Sequence, residues 1–304
     1  MSGEALKAEL PRKLVQFVFF VFFCAGVFGV KPRPVILPIL IPARAYGRTM
    51  LGAFSAMQLM LSKPVFPFIP IASFLLVGVL FGRAMCGWLC PFGFVQDLLA
   101  YVKRRHWKIS PKTHQWMVDV KYYVALATLT VSGTLAISLA LGVGEDYKRG
   151  LGALASGPFD ALSPHETLLS AAPKLLLGLE AAIPWLTAAP LDSLRMFILS
   201  IPPLLWARLA ILAVFLVSSV YVPRFFCKYI CPVGALMAVV NRFSFLGLSR
   251  NPVRCTKCRR CVEVCPMDVK VMTLPGEKIN DPECIYCLRC IQACEEDALS
   301  LKFP

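Results

Sequence analysis

Cys255-Thr-Lys-Cys258-Arg-Arg-Cys261-Val-Glu-Val-Cys265-Pro266 is the first of two cysteine-rich runs near the end of the printed sequence, and Cys284-Ile-Tyr-Cys287-Leu-Arg-Cys290-Ile-Gln-Ala-Cys294 is the second. Both runs space their cysteines as C-x2-C-x2-C-x3-C, a pattern that holds [4Fe–4S] clusters. Three thiolates from one tight loop cap three irons of a cubane, and the fourth cysteine opens a short helix that leads to the other cluster. The runs together predict two neighbouring clusters.

Each predicted ligand set combines three cysteines of one run with the last cysteine of the other. The sets are Cys255, Cys258, Cys261 and Cys294 for one cluster, and Cys284, Cys287, Cys290 and Cys265 for the other. Zinc sites close with four nitrogen or sulfur ligands at other spacings. Disulfides are disfavoured, because cysteines on a cytoplasmic face stay reduced or bind metal. The spacing therefore favours iron–sulfur clusters over both alternatives.

The composition is that of a membrane protein. Of the 304 residues, 57% are hydrophobic and only 16% are charged, against about 25% charged in a soluble domain. Apolar runs of roughly 20 residues, enough to cross about 30 Å of hydrocarbon, occur at Leu14–Val30, Phe66–Gly82, Tyr122–Val143 and Leu209–Val222 with its upstream flank. No cleavage site follows the first run, so we predict an uncleaved anchor in which Cys24 is a small buried apolar residue.

The distribution of lysine and arginine predicts the orientation. With the N-terminus inside, 22 of the 32 basic residues fall on the inner side, which places both termini and the clusters in the cytoplasm. The net charge of +14 then reflects basic inner loops beside anionic lipid. No nucleic-acid partner is expected.

An internal repeat is the second informative feature. Cys86-Gly-Trp-Leu-Cys90-Pro91-Phe-Gly93 follows the second apolar run, and Cys227-Lys-Tyr-Ile-Cys231-Pro232-Val-Gly234 follows the fourth. Both read C-x3-C-P-x-G and both are preceded by an arginine. We predict a duplicated unit of two helices and a C-x3-C-P loop, with the two loops facing each other on one side of the membrane.

The four motif cysteines have several possible roles. Proline suits the first turn of a helix, so the second cysteine of each motif should lie at an N-cap, where backbone donors lower the thiol pKa. Four thiolates from two loops suit a tetrahedral iron or an iron–sulfur cluster. Redox-active dithiols and packed structural thiols remain the alternatives.

Other segments and residues give weaker signals. Residues 35–60 are apolar, with a helical stretch near Met50–Leu61, and either lie on the outer leaflet or close a lipid-accessible pocket. Leu168–Ala189 is predicted as an interfacial or loosely packed amphipathic helix, with an extra membrane crossing as the alternative. Asp97 is either a proton acceptor at a quinol site or a residue that pairs with a cation.

None of the three histidines lies in a predicted span, and no C-x-x-C-H occurs, so no haem is expected. Nucleotide-binding glycine motifs are also absent from the sequence.

The combined pattern resembles the NapH-type membrane ferredoxins. The same module ends the larger NosR-type regulators, and a related one occurs in CcoG-type proteins of oxidase assembly. The resemblance covers nearly the whole chain and implies quinol oxidation coupled to a partner, often a periplasmic ferredoxin or a multihaem cytochrome that feeds a reductase. The family's cluster ligands carry over to the eight C-terminal cysteines, and its C-x3-C-P motif to Cys86, Cys90, Cys227 and Cys231. Unlike NosR, the chain has no long flavin-binding part, and Glu295 replaces the second proline.

We therefore predict an all-α membrane domain of about four helices over residues 1–250 and a small α+β dicluster ferredoxin domain over residues 251–304. The predicted function is electron transfer between the quinone pool and a redox partner, as a subunit of a quinol dehydrogenase complex in the cytoplasmic membrane of an anaerobically respiring prokaryote. The expected cofactors are two [4Fe–4S] clusters, with a further iron or iron–sulfur site at the motif cysteines. Membrane lipid and other redox subunits are the expected partners, and no catalytic side chain is expected. The alternative is an accessory protein for oxidase or metal-centre maturation, or a redox sensor.

Overall fold

The computed structural model describes residues 3–24, 35–41, 50–103, 106–107, 109–171, 202–272 and 278–303. Helices dominate up to residue 241, and a small sheet with two short helices follows. The helices of the first part are α1 (Gly3–Cys24), α2 (Ala53–Leu61), α3 (Phe68–Phe81), α4 (Ala84–Trp88), α5 (Pro91–Leu99), α6 (Pro111–Ala140), α7 (Gly144–Leu151), α8 (Pro158–Leu162), α9 (Pro164–Glu166), α10 (Pro203–Tyr221), α11 (Phe225–Tyr229) and α12 (Pro232–Asn241).

Each of the four predicted apolar spans overlaps one of these helices, namely α1, α3, α6 and α10. Within the described residues, α6 and α10 are the helices long and apolar enough to cross a membrane. Only 22% and 11% of their most apolar windows are buried inside the protein, so most of their apolar surface faces outward, where lipid can cover it. Helix α3 has 14 residues and is only about 21 Å long.

The segment before α3 folds into the helical core. Strands β1 (Val35–Leu37) and β2 (Met50–Gly52) form a short parallel pair, so this part of the chain is not entirely α-helical. Ile39, Leu40 and Ile41 are almost fully buried, as is the first half of α2. The apolar character of Ile39–Ile41 and of Ala53–Gln58 therefore reflects burial within the protein, and the expectation of lying flat on the outer leaflet is wrong for these residues.

The segment between α6 and α10 is described up to residue 171. Helix α7 carries the polar Glu145–Arg149 stretch on the surface, and α8, α9 and a π-helical turn at Thr167–Ala171 follow it. Phe159 from α8 is buried against the core of the helical part. The predicted interfacial helix at Leu168–Ala189 lies mostly outside the described residues, as does the side chain of Cys24.

The last part of the chain, residues 247–303, is the head. Its antiparallel sheet has the order β4 (Lys278–Ile279), β3 (Gly247–Arg250) and β5 (Leu299–Lys302). The helices of the head are α13 (Arg260–Glu263) and α14 (Arg289–Gln292), each placed inside one cysteine run. Strand β3 begins the head at Gly247, slightly before the predicted domain boundary at residue 251.

Candidate functional site

The head contains two cavities lined by cysteines. We call the outer one the distal cavity. It is lined by Cys255, Cys258, Cys261 and Cys294, together with Arg250, Arg259 and Arg260. Cys258 is exposed to solvent. These are the four cysteines that the sequence assigns to one cluster, so three thiols of the first run and the last thiol of the second run share a cavity.

The second, proximal cavity lies against the helical part of the protein. It is lined by Cys265, Cys284, Cys287 and Cys290, with apolar side chains around them. Cys284 and Cys290 are buried. Each cavity is therefore lined by three cysteines of one run and the last cysteine of the other run. In the proximal cavity, four sulfur donors surrounded by apolar side chains fit an iron–sulfur cluster.

The backbone of the two runs repeats the same unusual conformation. Six residues other than glycine have positive φ angles, at matching positions of the two runs: Lys257 and Tyr286, Arg259 and Leu288, and Asp268 and Asp297. Left-handed conformations are uncommon outside glycine, and here they curl each loop around its cavity. Backbone N–H groups of Val269 and Ala298 donate to the sulfurs of Cys265 and Cys294 at 3.4 and 3.3 Å. Such bonds tune the potential of a bound cluster.

The two C-x3-C-P motifs adopt nearly the same turn. Cys90 is the N-cap of α5 with φ −63° and ψ 118°, and Cys231 is the N-cap of α12 with φ −64° and ψ 114°. The proline that follows each cysteine occupies the first helical turn, as predicted. In the second motif the Gly234 N–H donates to the sulfur of Cys231 at 3.3 Å.

Each motif is contacted by the arginine that precedes the other motif in the sequence. The Arg224 guanidinium donates to the Cys86 carbonyl oxygen at 3.0 Å and lies near Gly93. Arg83 lies in the same way near Gly234. Gln96 adds a third link between the halves, because its amide nitrogen donates to the sulfur of Cys227 at 3.0 Å. The two loops therefore meet, as the sequence predicts.

Asp97 is the centre of a buried ion network. Its carboxylate accepts two bonds from Arg224, at 2.7 and 2.8 Å, and further bonds from Arg12 at 3.0 Å and Lys13 at 3.1 Å. Burial alone would raise the pKa of Asp97, but Arg224, Arg12 and Lys13 hold it well below its ordinary value. Because the ionised carboxylate is fully bonded to these cations, the structure shows Asp97 as a pairing residue and not as a proton acceptor.

The thiols of Cys90, Cys227 and Cys231 have raised pKa values. Burial raises the pKa of Cys90 to about 12 and that of Cys227 to about 11, and it raises the pKa of Cys231 well above the ordinary value. The prediction of lowered pKa values at the N-cap cysteines Cys90 and Cys231 is wrong, because the loss of hydration outweighs the backbone N–H bonds to their sulfurs. Thiolates in this pocket require a bound cation, which deprotonates its thiol ligands.

The surroundings of these thiols carry an excess of positive charge. Arg12, Lys13 and Arg224 contact Asp97, and Arg83 and Lys121 contact Glu283. Five cations thus face two carboxylates, a surplus of three, while the nearby pair of Arg289 and Glu9 is balanced. Buried charge needs compensation, and four thiolates around a [4Fe–4S]2+ core would supply two negative charges.

No group of three or more Cys, His, Asp or Glu side chains within the described parts of the chain converges as tightly as a single metal ion requires. Thiolates on one tetrahedral zinc-like ion lie about 3.8 Å apart, as bonds of about 2.3 Å dictate. A cubane binds each thiolate to a different iron, so its ligands are spaced more widely. The described residues therefore hold no ready-formed three-ligand site for a single ion.

The head is docked on the motif turns by specific contacts. The Glu283 carboxylate forms a salt bridge with Arg83 at 2.9 Å and a second one with Lys121 of α6. Trp88 donates its indole N–H to the Tyr286 carbonyl at 2.9 Å, and Asn241 donates to the Asp281 carbonyl at 2.6 Å. Burial alone would raise the pKa of Glu283, but the two cations lower it. The proximal cavity is therefore fixed against the first motif.

The thiols follow one another in a definite order. Cys90 and Cys231 lie in the apolar core of the helical part. Cys86 lies in a separate apolar cluster that it shares with Cys284 and Cys290 of the proximal cavity. The distal cavity, with exposed Cys258, is farthest out. The order runs from the helical core to solvent.

Sequence reasoning missed several residues of this site. Gln96, Glu283 and Asn241 carry no motif, and their roles depend on contacts between segments far apart in the chain. Arg83 and Arg224 had a signal, since both stand three residues before the first cysteine of a motif, in R-x2-C-x3-C-P-x-G. His165 is another missed residue. It is fully buried, and its Nε2 lies 3.6 Å from Asp160.

Comparisons with known proteins agree with this site. A family model described as a 4Fe-4S binding domain matches residues 64–110 and again residues 204–250, and a second, described as a 4Fe-4S dicluster domain, matches residues 247–295. Each of the first two matches contains one C-x3-C-P motif, and the third contains both cysteine runs. No solved structure matches the chain.

Several known proteins are similar to this chain at low amino-acid identity. The uncharacterised protein MJ0750 of Methanocaldococcus jannaschii is 24% identical over 98% of this chain and 97% of its own length. YccM of Escherichia coli, assigned to electron transport, is 25% identical over 66% of this chain and 46% of its own. The regulatory protein NosR of Pseudomonas aeruginosa is 23% identical over 62% of this chain and 21% of its own. The chain thus spans less than half of YccM and NosR. The predicted resemblance is confirmed, and the chain is a ferredoxin-type 4Fe–4S electron-transfer protein related to the NosR-like module.

Proposed function

We propose that this chain crosses the cytoplasmic membrane of a prokaryote four times and carries electrons between the quinone pool and a redox partner. The observation that carries the proposal is the order of the thiols. Cys90 and Cys231 lie in the helical core, Cys86 lies beside the proximal cavity, and Cys258 of the distal cavity reaches solvent. Such an order suits a path from membrane to aqueous partner.

A duplicated membrane unit explains the helical part. The two motif turns share their backbone angles, and one family model matches both halves. We assign the crossings to α1, α3, α6 and α10. With the inner side chosen by the excess of basic residues, the head lies in the cytoplasm.

The head would hold two clusters. We assign Cys255, Cys258, Cys261 and Cys294 to the distal cluster, and Cys265, Cys284, Cys287 and Cys290 to the proximal one. When bound, a [4Fe–4S] cluster takes up and gives back one electron at a time. The role of the chain is to fix the two cavities next to each other, to donate N–H bonds to sulfur, and to keep water from the proximal one.

The motif cysteines Cys86, Cys90, Cys227 and Cys231 would hold a further iron–sulfur group. The cationic surplus around Asp97 and Glu283 favours an anionic centre there. A maturation role through Cu(I), which soft thiolate ligands select, is the alternative function of these thiols. The third centre would make the motif site a relay between membrane and head.

The test uses the purified full chain in lipid nanodiscs under anaerobic conditions. Oxidation of a menaquinol breaks two O–H bonds, releases two protons to solvent water and delivers two electrons singly. We expect reduced [4Fe–4S] signals in the EPR spectrum after mixing with menaquinol. Signals that appear with dithionite but never with menaquinol would reject the quinol-linked function. Stoichiometric Cu(I) binding at the motif thiols would instead favour the maturation role.

A further inference from the structure

A third cavity, of about 300 Å³, lies where the head meets the helical part, and its described lining residues include no cysteine. Its wall includes Met85, Trp88 and Leu89 of the first motif and Tyr286, Leu288 and Leu301 of the head. We propose that this cavity binds the ring of a lipophilic quinone or quinol. The proposal rests on the proposed function and adds the place where the ring binds.

The chemistry of the wall selects the class of ligand. The two side chains with polar atoms have already used them: the Trp88 indole donates to the Tyr286 carbonyl, and the Tyr286 hydroxyl donates to the Leu246 carbonyl, both at 2.9 Å. Among the described residues, no charged side chain lines the cavity. A nucleotide or flavin phosphate would find no partner here, whereas a flat apolar ring can pack against two aromatic side chains.

The cavity has the size of a small-ligand site. Its volume of about 300 Å³ is at the lower end of the range of about 300–1,000 Å³ for ligand pockets. It accommodates a quinone ring and the start of an isoprenoid tail, with the ring oxygens at the open side, where water or lipid head groups can bond them.

Exposed apolar side chains line the cavity on both sides, which points to an opening toward lipid. Phe81 at the end of α3 and Leu301 on the head both line it and are exposed. Leu14 and Val18, close in sequence to the lining residue Val15 on α1, are exposed as well. Contiguous exposed apolar surface marks a membrane or ligand contact, so a membrane-dissolved molecule can enter without crossing water.

The position of the cavity favours a redox-active occupant over an ordinary acyl chain. Met85 and Leu89 are direct chain neighbours of Cys86 and Cys90, and Leu288 is the neighbour of Cys287. A ring in the cavity thus has the motif thiols on one side and the proximal thiols on the other. The two electrons of a quinol, released singly, would have an acceptor site on each side.

The first test is photolabelling of the wild-type full chain in nanodiscs with an azido-naphthoquinone, followed by peptide mass spectrometry. We expect adducts in peptides containing Met85–Leu89 and Tyr286–Leu288, suppressed by excess menaquinone. Adducts elsewhere would overturn the proposal. Equal suppression by added phospholipid would also overturn it, because the cavity would then be a lipid-tail groove.

The second test fills the cavity from its half-exposed wall with Leu301→Trp. Labelling should fall about tenfold or more, while Val253→Trp, a change at a 92% exposed position of the head, leaves it unaltered. Unchanged labelling in Leu301→Trp would overturn the proposal. Menaquinol reduction of the clusters, followed by EPR in the same samples, separates the two claims. Reduction in the wild type with label elsewhere rejects only this cavity, and absent reduction rejects the proposed function.

Discussion

Replacing Asp97 with asparagine removes the negative charge at the centre of the buried network while keeping the size of the side chain. Three cations, Arg12, Lys13 and Arg224, then face a neutral amide, and one of the two acceptor oxygens becomes a donor that opposes the donors around it. Arg224 is fully buried and Asp97 is 2% exposed, so water cannot replace the lost bonds.

The magnitude follows from the geometry. Arg224 makes two short bonds to Asp97, and a hydrogen bond to a charged group contributes about 1.5–3 kcal/mol. Removing one partner of a buried pair costs about 3–5 kcal/mol, because the remaining charge stays buried without compensation. We expect Asp97→Asn to lower the free energy of unfolding by about 4 kcal/mol, or the melting temperature by about 10 °C.

The assay is thermal unfolding in detergent under anaerobic conditions, with the iron content matched between samples. Asp146→Asn is the control, because Asp146 pairs with Arg149 on the surface and its side chain is 92% exposed. We expect no measurable change there. If Asp97→Asn and Asp146→Asn behave alike, the reasoning about the buried network is refuted.

Three further predictions concern the docking of the head and the buried side chain of His165. Glu283→Gln leaves two buried cations without a carboxylate and should destabilise the protein by about 3–5 kcal/mol, measured by the same thermal assay; an unchanged melting temperature would contradict it. A Cβ at Gly87 would collide with the Ile285 carbonyl, so Gly87→Val should loosen the head and speed its release by limited proteolysis, and an unaltered cleavage rate would count against the contact. Burial lowers the pKa of His165 to about 3, against the opposing effect of the Asp160 carboxylate 3.6 Å away, so its neutral form stabilises the fold above about pH 6.5 and this stability is lost as the pH falls. Between pH 7 and 5 the wild type should lose about 2 kcal/mol from this group, and His165→Gln should remove that loss; equal acid sensitivity of both proteins would refute it.

The local cysteine patterns predict much of the site. The C-x2-C-x2-C-x3-C spacing groups the eight cysteines of the head as the two cavities do, because the loop conformation and the exchanged cysteine are encoded within about a dozen residues. Proline after Cys90 and Cys231 likewise predicts their N-cap positions, since it is the fixed φ of proline that selects the first helical turn.

Features that depend on tertiary packing could not be predicted in this way. The raised pKa of Cys90 results from burial by distant segments, and the partner of Glu283 on α6 lies far away in the chain. The apolar segment at residues 35–60 has the same composition whether it faces lipid or protein. The hydrophobic pattern shows that such a segment is apolar. Whether lipid or protein covers it depends on the segments that pack against it in the folded chain.

We propose that the motif thiols connect the membrane to the head. The most direct test compares Cys86→Ser with the wild type, reducing each sample once with menaquinol and once with dithionite while following the [4Fe–4S] EPR signals of the two head clusters. With dithionite we expect the head clusters to give equal signals in both proteins. With menaquinol we expect their reduction to be at least about tenfold slower in Cys86→Ser, a change of about 1.4 kcal/mol in the barrier. Head-cluster reduction by menaquinol at the wild-type rate in Cys86→Ser would show that the motif thiols are not on the electron path.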